Sequence, residues 1–207
     1  MSDAVERDQM EYDVVIVGGG PAGLACAIRL KQVKPDLNVC VLEKGAAIGA
    51  HSLSGCVLEP GPLDALLPGW RETPPSICVP ATRDEFKLYT ATGSYRLPTP
   101  PQMSNHGNFI VSLGQLTPLL AQRAEALGVD VFAGFAAAKA LFDEHGAVCG
   151  VQIGDMGVEK DGEPGPSYAP GPEVRAKLTI FAEGARGSLT KTLIAKYALD
   201  RDCCPQT

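Results

Sequence analysis

Residues Tyr12–Val17, YDVVIV, form a continuous apolar run rich in β-branched side chains, and Asn38–Leu42, NVCVL, form another. Such runs suit parallel strands covered on both faces. Between them, Leu24, Ala27, Ile28 and Val33 give a core face to a helix from about Ala22 to Val33, which Pro35 stops. The chain therefore opens as strand, glycine turn, helix, strand. The pattern then loosens. Gly45–Gly61 reads as loop, and after Pro62 the residues Leu63, Leu66, Leu67 and Trp70 recur at i, i+3, i+4 and i+7, predicting a short helix. Residues 73–80 are Pro-rich and extended, FKLYT and SYRLP form a hairpin around Gly93, and NFIVSL at 108–113 is a strand. Residues 115–127 are an amphipathic helix ended by Gly128, followed by a strand at Val129–Phe132 and paired strands at 136–142 and 147–153. Gly154–Pro172 reads as an exposed loop, Val174–Ala182 as a strand and Ser188–Tyr197 as a helix. The alternation predicts an α/β fold with a mainly parallel sheet interrupted by β-rich insertions. Three stretches follow: 1–56, a first βαβ part; 57–113, an inserted β-rich segment; and 114–207, where the chain returns with a β-hairpin.

Composition narrows the classes. Hydrophobic residues make up 45% and charged residues 20% of the 207, as in ordinary globular proteins. The net charge of −6 and the lack of any Lys/Arg cluster argue against nucleic acid as a partner. Seven cysteines occur without a CxxC pair, so no metal ligand is assigned; they read as small buried hydrophobes in a reducing compartment. The polar N-terminus is no signal peptide, and no stretch approaches the ~20 apolar residues that span a bilayer. The expected location is cytosolic or on a membrane face.

Gly18, Gly20 and Gly23 form G-x-G-x-x-G between the first strand and the first helix, the context a dinucleotide site requires. Gly18 permits the tight turn, Gly20 lets a diphosphate approach the backbone, and Gly23 lets the helix pack on the strand. Gly19, Pro21 and Ala22 complete the turn. Glu43, twenty residues after Gly23, stands where an acid accepts ribose hydroxyls and repels a 2′-phosphate, although the neighbouring Lys44 softens that exclusion. FAD and NAD share this fingerprint. The long excursion after Glu43, and the late strand and second glycine turn TIFAEGARG, favour FAD.

These segments, with IGAHSLSG, SNHGNFIVSLGQL and CCPQT, resemble the electron-transfer flavoprotein:ubiquinone oxidoreductase family from about Tyr12 to Thr207. The resemblance implies FAD, a ubiquinone site, and a [4Fe-4S] cluster in a C-terminal region absent from these residues. The sequence then reads as an N-terminal, truncated part. It implies a diphosphate held by Gly18–Gly23, a ribose by Glu43, an isoalloxazine near Ser52, Ser54 and Gly55, and a returning flavin contact at Glu183 and Gly184. Electron-transfer flavoprotein and ubiquinone are the implied partners. The cofactors carry the chemistry, so no catalytic side chain is named. The location implied is the cytoplasmic face of a bacterial inner membrane, or the cytoplasm for a truncated chain. The stripe Leu63, Leu66, Leu67 and Trp70 is either core or an interfacial helix, the resemblance drawing the two level. A geranylgeranyl-reductase-like or FixC-like flavoprotein is the second reading. A non-catalytic remnant with unpaired strand edges is the third. His51 belongs to the specific loop but is as readily a surface group, and His106 and His145 read as turn residues.

Overall fold

The computed structural model describes residues 6–53, 55–72, 77–159, 161–201 and 203. In chain order the elements are β1 (Gln9–Val17), α1 (Pro21–Val33), β2 (Val39–Glu43), β3 (Cys56–Leu58), α2 (Pro60–Leu66), β4 (Cys78–Pro80), β5 (Phe86–Thr90), β6 (Gly93–Leu97) and β7 (Phe109–Val111). Then come α3 (Leu113–Ala126), β8 (Asp130–Ala133), β9 (Ala137–Phe142), β10 (Val148–Ile153), β11 (Met156–Val158), β12 (Pro164–Ala169), β13 (Glu173–Phe181) and α4 (Ser188–Tyr197). They divide between two compact units, Met1–His51 with Thr117–Thr207, and Ser52–Leu116.

The first unit is built on a six-stranded sheet ordered β8-β2-β1-β13-β10-β9. β8, β2, β1 and β13 are parallel, while β10 and β9 add antiparallel. Val14–Val17 and Val39–Leu42 are buried at every position, as a strand covered on both faces must be. α1 turns Gly23, Leu24, Ala27 and Ile28 inward. The Leu24 and Ile28 side chains each contribute about 1.5–3 kcal/mol on leaving water. β1 starts three residues earlier than its apolar run, at Gln9, because β13 pairs with it from Gln9↔Glu173 to Val17↔Phe181. Within the run itself, Lys177 pairs with Asp13 at 2.7 Å, and Asp13 accepts the Asn38 N–H at 2.9 Å.

Gly154–Pro172 departs from the expected loop. It contains an antiparallel ribbon of β11 and β12. A two-stranded ribbon leaves free edges, so β12 tolerates Pro164 and Pro166. Asp155 anchors its base, paired with the Arg7 guanidinium and accepting the Gly171 N–H at 2.9 Å and the Tyr168 hydroxyl at 3.1 Å. The hydrogen bond from Arg7, then those from Gly171 and Tyr168, hold the Asp155 carboxyl well below the usual carboxylate range.

The second unit holds an antiparallel sheet ordered β3-β7-β4 and the hairpin β5–β6. The expected helix through Trp70 is shorter than its spacing suggested. α2 stops at Leu66, and Trp70 begins a separate 3-10 turn. Leu63 and Trp70 are 7% and 3% exposed, while Leu66 and Leu67 are half-buried. The Trp70 indole N–H donates to Asp64 Oδ1 at 2.7 Å, and its ring meets Phe109 edge-on with centroids 5.8 Å apart. Arg71 lies over both rings and donates to the same Asp64 carboxylate. Leu63 and Trp70, the two ends of this stripe, thus pack inward, held by packing and by a buried indole that needs a partner.

Candidate dinucleotide-binding site

The C-terminal ends of the parallel strands in the first unit carry the glycine turn. Gly18 donates its N–H to the Leu42 carbonyl at 2.8 Å and has φ 112°. A Cβ there would stand 2.4 Å from the Ala182 oxygen, so the turn is both left-handed and tight against the end of β13. A Cβ on Gly23 would stand 2.1 Å from the Gly18 oxygen, which is the close helix–strand approach the spacing anticipated. Gly20 differs: no atom lies within 4 Å of where its Cβ would be. The backbone there faces open space.

Gly20 is also the N-cap of α1. No side chain caps that end, Pro21 sits in the first turn, and no acid occupies it. A helix start leaves backbone N–H groups without helical partners and carries the positive end of the dipole. Its first turn is thus suited to a phosphate. Ala22 is exposed on it.

Glu43 ends β2, and its carboxylate is already engaged. Oε2 accepts the Gly19 N–H at 2.9 Å, and Oε1 accepts the Gly45 N–H at 2.7 Å. The Gly45 carbonyl in turn accepts the Gly134 N–H at 2.7 Å. The loops after β1, β2 and β8 are laced together across this acid. An ionised carboxylate offers about four lone-pair sites, so capacity remains for sugar hydroxyls. His51 Nδ1 lies 3.9 Å from Glu43 Oε1 on an exposed ring, and Lys44 is exposed.

The second glycine turn places its acid elsewhere. Glu183 Oε2 accepts the Thr190 N–H at 2.8 Å and the Thr190 hydroxyl at 2.7 Å. Oε1 accepts the Leu189 N–H at 3.3 Å and the Ser188 hydroxyl at 3.4 Å. Burial pushes this carboxyl up, but the hydrogen bonds outweigh it and hold the group below the usual glutamate range. Glu183 was expected to take part in a returning flavin contact; its side chain closes the start of α4. Gly184 is exposed with φ 79°. Ser52 and Gly55 belong to the second unit, where Gly55 has φ 84° and open space at its Cβ position. Ser54 lies outside the described residues. Among the described residues, no group of His, Cys, Asp and Glu is placed to hold a metal ion, and no helix is long and apolar enough to cross a membrane.

Sheet order, glycine turn and acid together define the class as a dinucleotide-binding Rossmann-like fold. The model of the Thi4 family matches residues 2–59. A solved geranylgeranyl bacteriochlorophyll reductase-like protein from Thermoplasma acidophilum is 24% identical, with a TM-score of 0.59 over 85% of this chain and 40% of that one. The probable electron transfer flavoprotein-ubiquinone oxidoreductase of Acinetobacter baylyi is 50% identical over 98% of this chain and 37% of its own length. The mitochondrial electron transfer flavoprotein-ubiquinone oxidoreductase of Homo sapiens is 47% identical over 98% of this chain and 34% of its own. By sequence, the chain is homologous to the N-terminal portion of the electron transfer flavoprotein-ubiquinone oxidoreductases. It spans little more than a third of the length of these curated relatives.

Proposed function

We propose that this chain is the FAD-binding N-terminal part of an oxidoreductase that passes electrons from reduced electron-transfer flavoprotein to ubiquinone at a membrane face. The observation that carries the dinucleotide reading is the open approach to Gly20 beside an uncapped α1, with Glu43 next to it, and the similarity to flavoprotein oxidoreductases favours FAD as that dinucleotide. Backbone groups from Gly18 to Gly23 hold the diphosphate, and Glu43 accepts ribose hydroxyls while keeping its bonds to Gly19 and Gly45. Bound FAD supplies the redox chemistry, so the chain's own groups need only bind, orient and exclude water. The names of the curated relatives support the choice of donor and acceptor. A geranylgeranyl-reductase-like activity shares the fold, but its representative is 24% identical against 47–50% for the oxidoreductases, which favours the first reading. The membrane step is not assigned to Leu63 or Trp70, which are buried.

The test is a titration of the chain with FAD, followed by quenching of flavin fluorescence, beside a Gly20→Val variant. The Cβ of that valine has no neighbouring atom within 4 Å, so the circular dichroism spectrum is expected to stay unchanged while affinity drops at least about tenfold. A folded wild-type chain that leaves FAD free, or a Gly20→Val chain that binds it equally well, overturns the reading.

A further inference from the structure

We propose that Glu183 is a positioning residue for the dinucleotide site, holding the end of β13 against the glycine turn through the first turn of α4. The proposal rests on the reading of that turn as the FAD diphosphate site.

α4 starts at Ser188 with Gly187 as its N-cap, and glycine has no side chain to cap with. Glu183 supplies the missing acceptor from outside the helix, through its bonds to the Leu189 and Thr190 N–H groups and the Thr190 hydroxyl. A negative charge at this end also complements the helix dipole. Gly187 is part of the device: a Cβ there would lie 2.5 Å from Glu183 Cβ and 2.7 Å from Oε2, so only glycine lets the acid fold back.

The backbone just before Glu183 is the wall of the glycine turn. Ala182 donates its N–H to Val17 at 2.8 Å. Its oxygen lies 2.4 Å, and the Glu183 nitrogen 3.2 Å, from the position of a Gly18 Cβ. The Ala182 methyl lies 3.3 Å from the position of a Gly23 Cβ. The acid is thus joined by one peptide to the surface on which Gly18 and Gly23 rest. Releasing the carboxylate frays the first turn of α4, loosens 182–187 and removes the backing of Gly18. The effect on ligand passes through backbone rather than through contact. Because the protein's own anion fills the start of α4, a diphosphate in this unit has the start of α1 to itself.

The experiment compares the chain with Glu183→Ala, Glu183→Gln and Thr190→Val. Amide hydrogen exchange is read without FAD at Gly18, Gly19, Ala182, Leu189 and Thr190, and FAD affinity is read separately. Glu183→Ala is expected to speed exchange about five- to tenfold at Leu189 and Thr190 and measurably at Gly18 and Ala182, and to weaken FAD binding several-fold. Glu183→Gln keeps the size and one acceptor and recovers part of both. Thr190→Val removes one donor and carries the test if Glu183→Ala does not fold. Faster exchange confined to Leu189 and Thr190, or FAD binding by Glu183→Ala equal to wild type, overturns the proposal alone. A folded wild-type chain that binds no FAD overturns the reading of the site, and the exchange result then stands or falls separately.

Discussion

After β1 the chain enters α1 through Gly18–Gly20 with no side chain over the helix start; after β13 it enters α4 through Gly184–Gly187 with Glu183 folded onto the start. Both are strand, glycines, helix, and both leave the C-terminal end of neighbouring parallel strands in one sheet. The first turn is packed tightly everywhere except at Gly20. The second is filled from within. Glycine content alone therefore does not separate a helix start left open from one filled by the protein's own acid. What separates them is whether a nearby acid can reach the first helical N–H groups. Glu43 stops short of α1, bonding Gly19 and Gly45, whereas Glu183 reaches Leu189 and Thr190.

The largest expected effect is at Gly23. Alanine there collides with backbone, and Gly23→Ala should lose about 3 kcal/mol in urea unfolding and take FAD binding with it. A wild-type midpoint for this variant would break the contrast with Gly20, where added bulk should cost binding and not stability. Next, Glu183→Ala should lose about 1–2 kcal/mol, as for a lost helix cap, with α1 unaffected by exchange beyond its first turn. A smaller effect is pH-dependent. The folded Glu183 carboxyl sits below its unfolded value of about 4.3, so its contribution is present above that pH and fades as pH falls below it. Asp13 and Asp155 are depressed in the same direction, so the informative quantity is the difference between wild type and Glu183→Gln, which should shrink as the pH is lowered from 5 towards 3, values spanning the ordinary carboxylate range. The smallest signal is chemical. Burial pushes the Cys40 thiol in β2 up to about 12, so alkylation at mildly alkaline pH should spare it while exposed Cys203 reacts. Labelling of Cys40 in the folded chain would mean that the strand beneath the first turn opens.

The βαβ start was legible because burial on both faces writes a strand as an unbroken apolar run, and because Gly18, Gly20 and Gly23 each answer a separate steric demand. The returning strand and α4 were legible for similar reasons. The Glu183 side chain was not legible, because an acid after a strand looks the same whether it turns outward or back to a helix; its partners are Leu189 and Thr190, and the clue was the glycine at the cap position. The Leu63–Trp70 spacing fits a helix, yet α2 ends at Leu66 and burial is set by Phe109, Arg71 and Asp64, none of which the spacing reports. The β11–β12 ribbon was hidden by its Gly and Pro content. The Arg7–Asp155 pair that anchors it joins residues 148 apart, beyond any local pattern.

The pairing of β1 with β13 has a consequence for biosynthesis. Every rung of that ladder, like the Asp13–Lys177 bond, joins residues 164 apart in sequence. A ribosome adding about 5–20 residues per second takes on the order of ten seconds to deliver the partner strand. Through that interval the nascent β1 carries an open flank of valine and isoleucine, shielded on its other side by β2. Cellular folding helpers are most needed in that window, and the yield of folded chain should depend on translation speed through residues 130–181 more than on any single contact in the finished molecule.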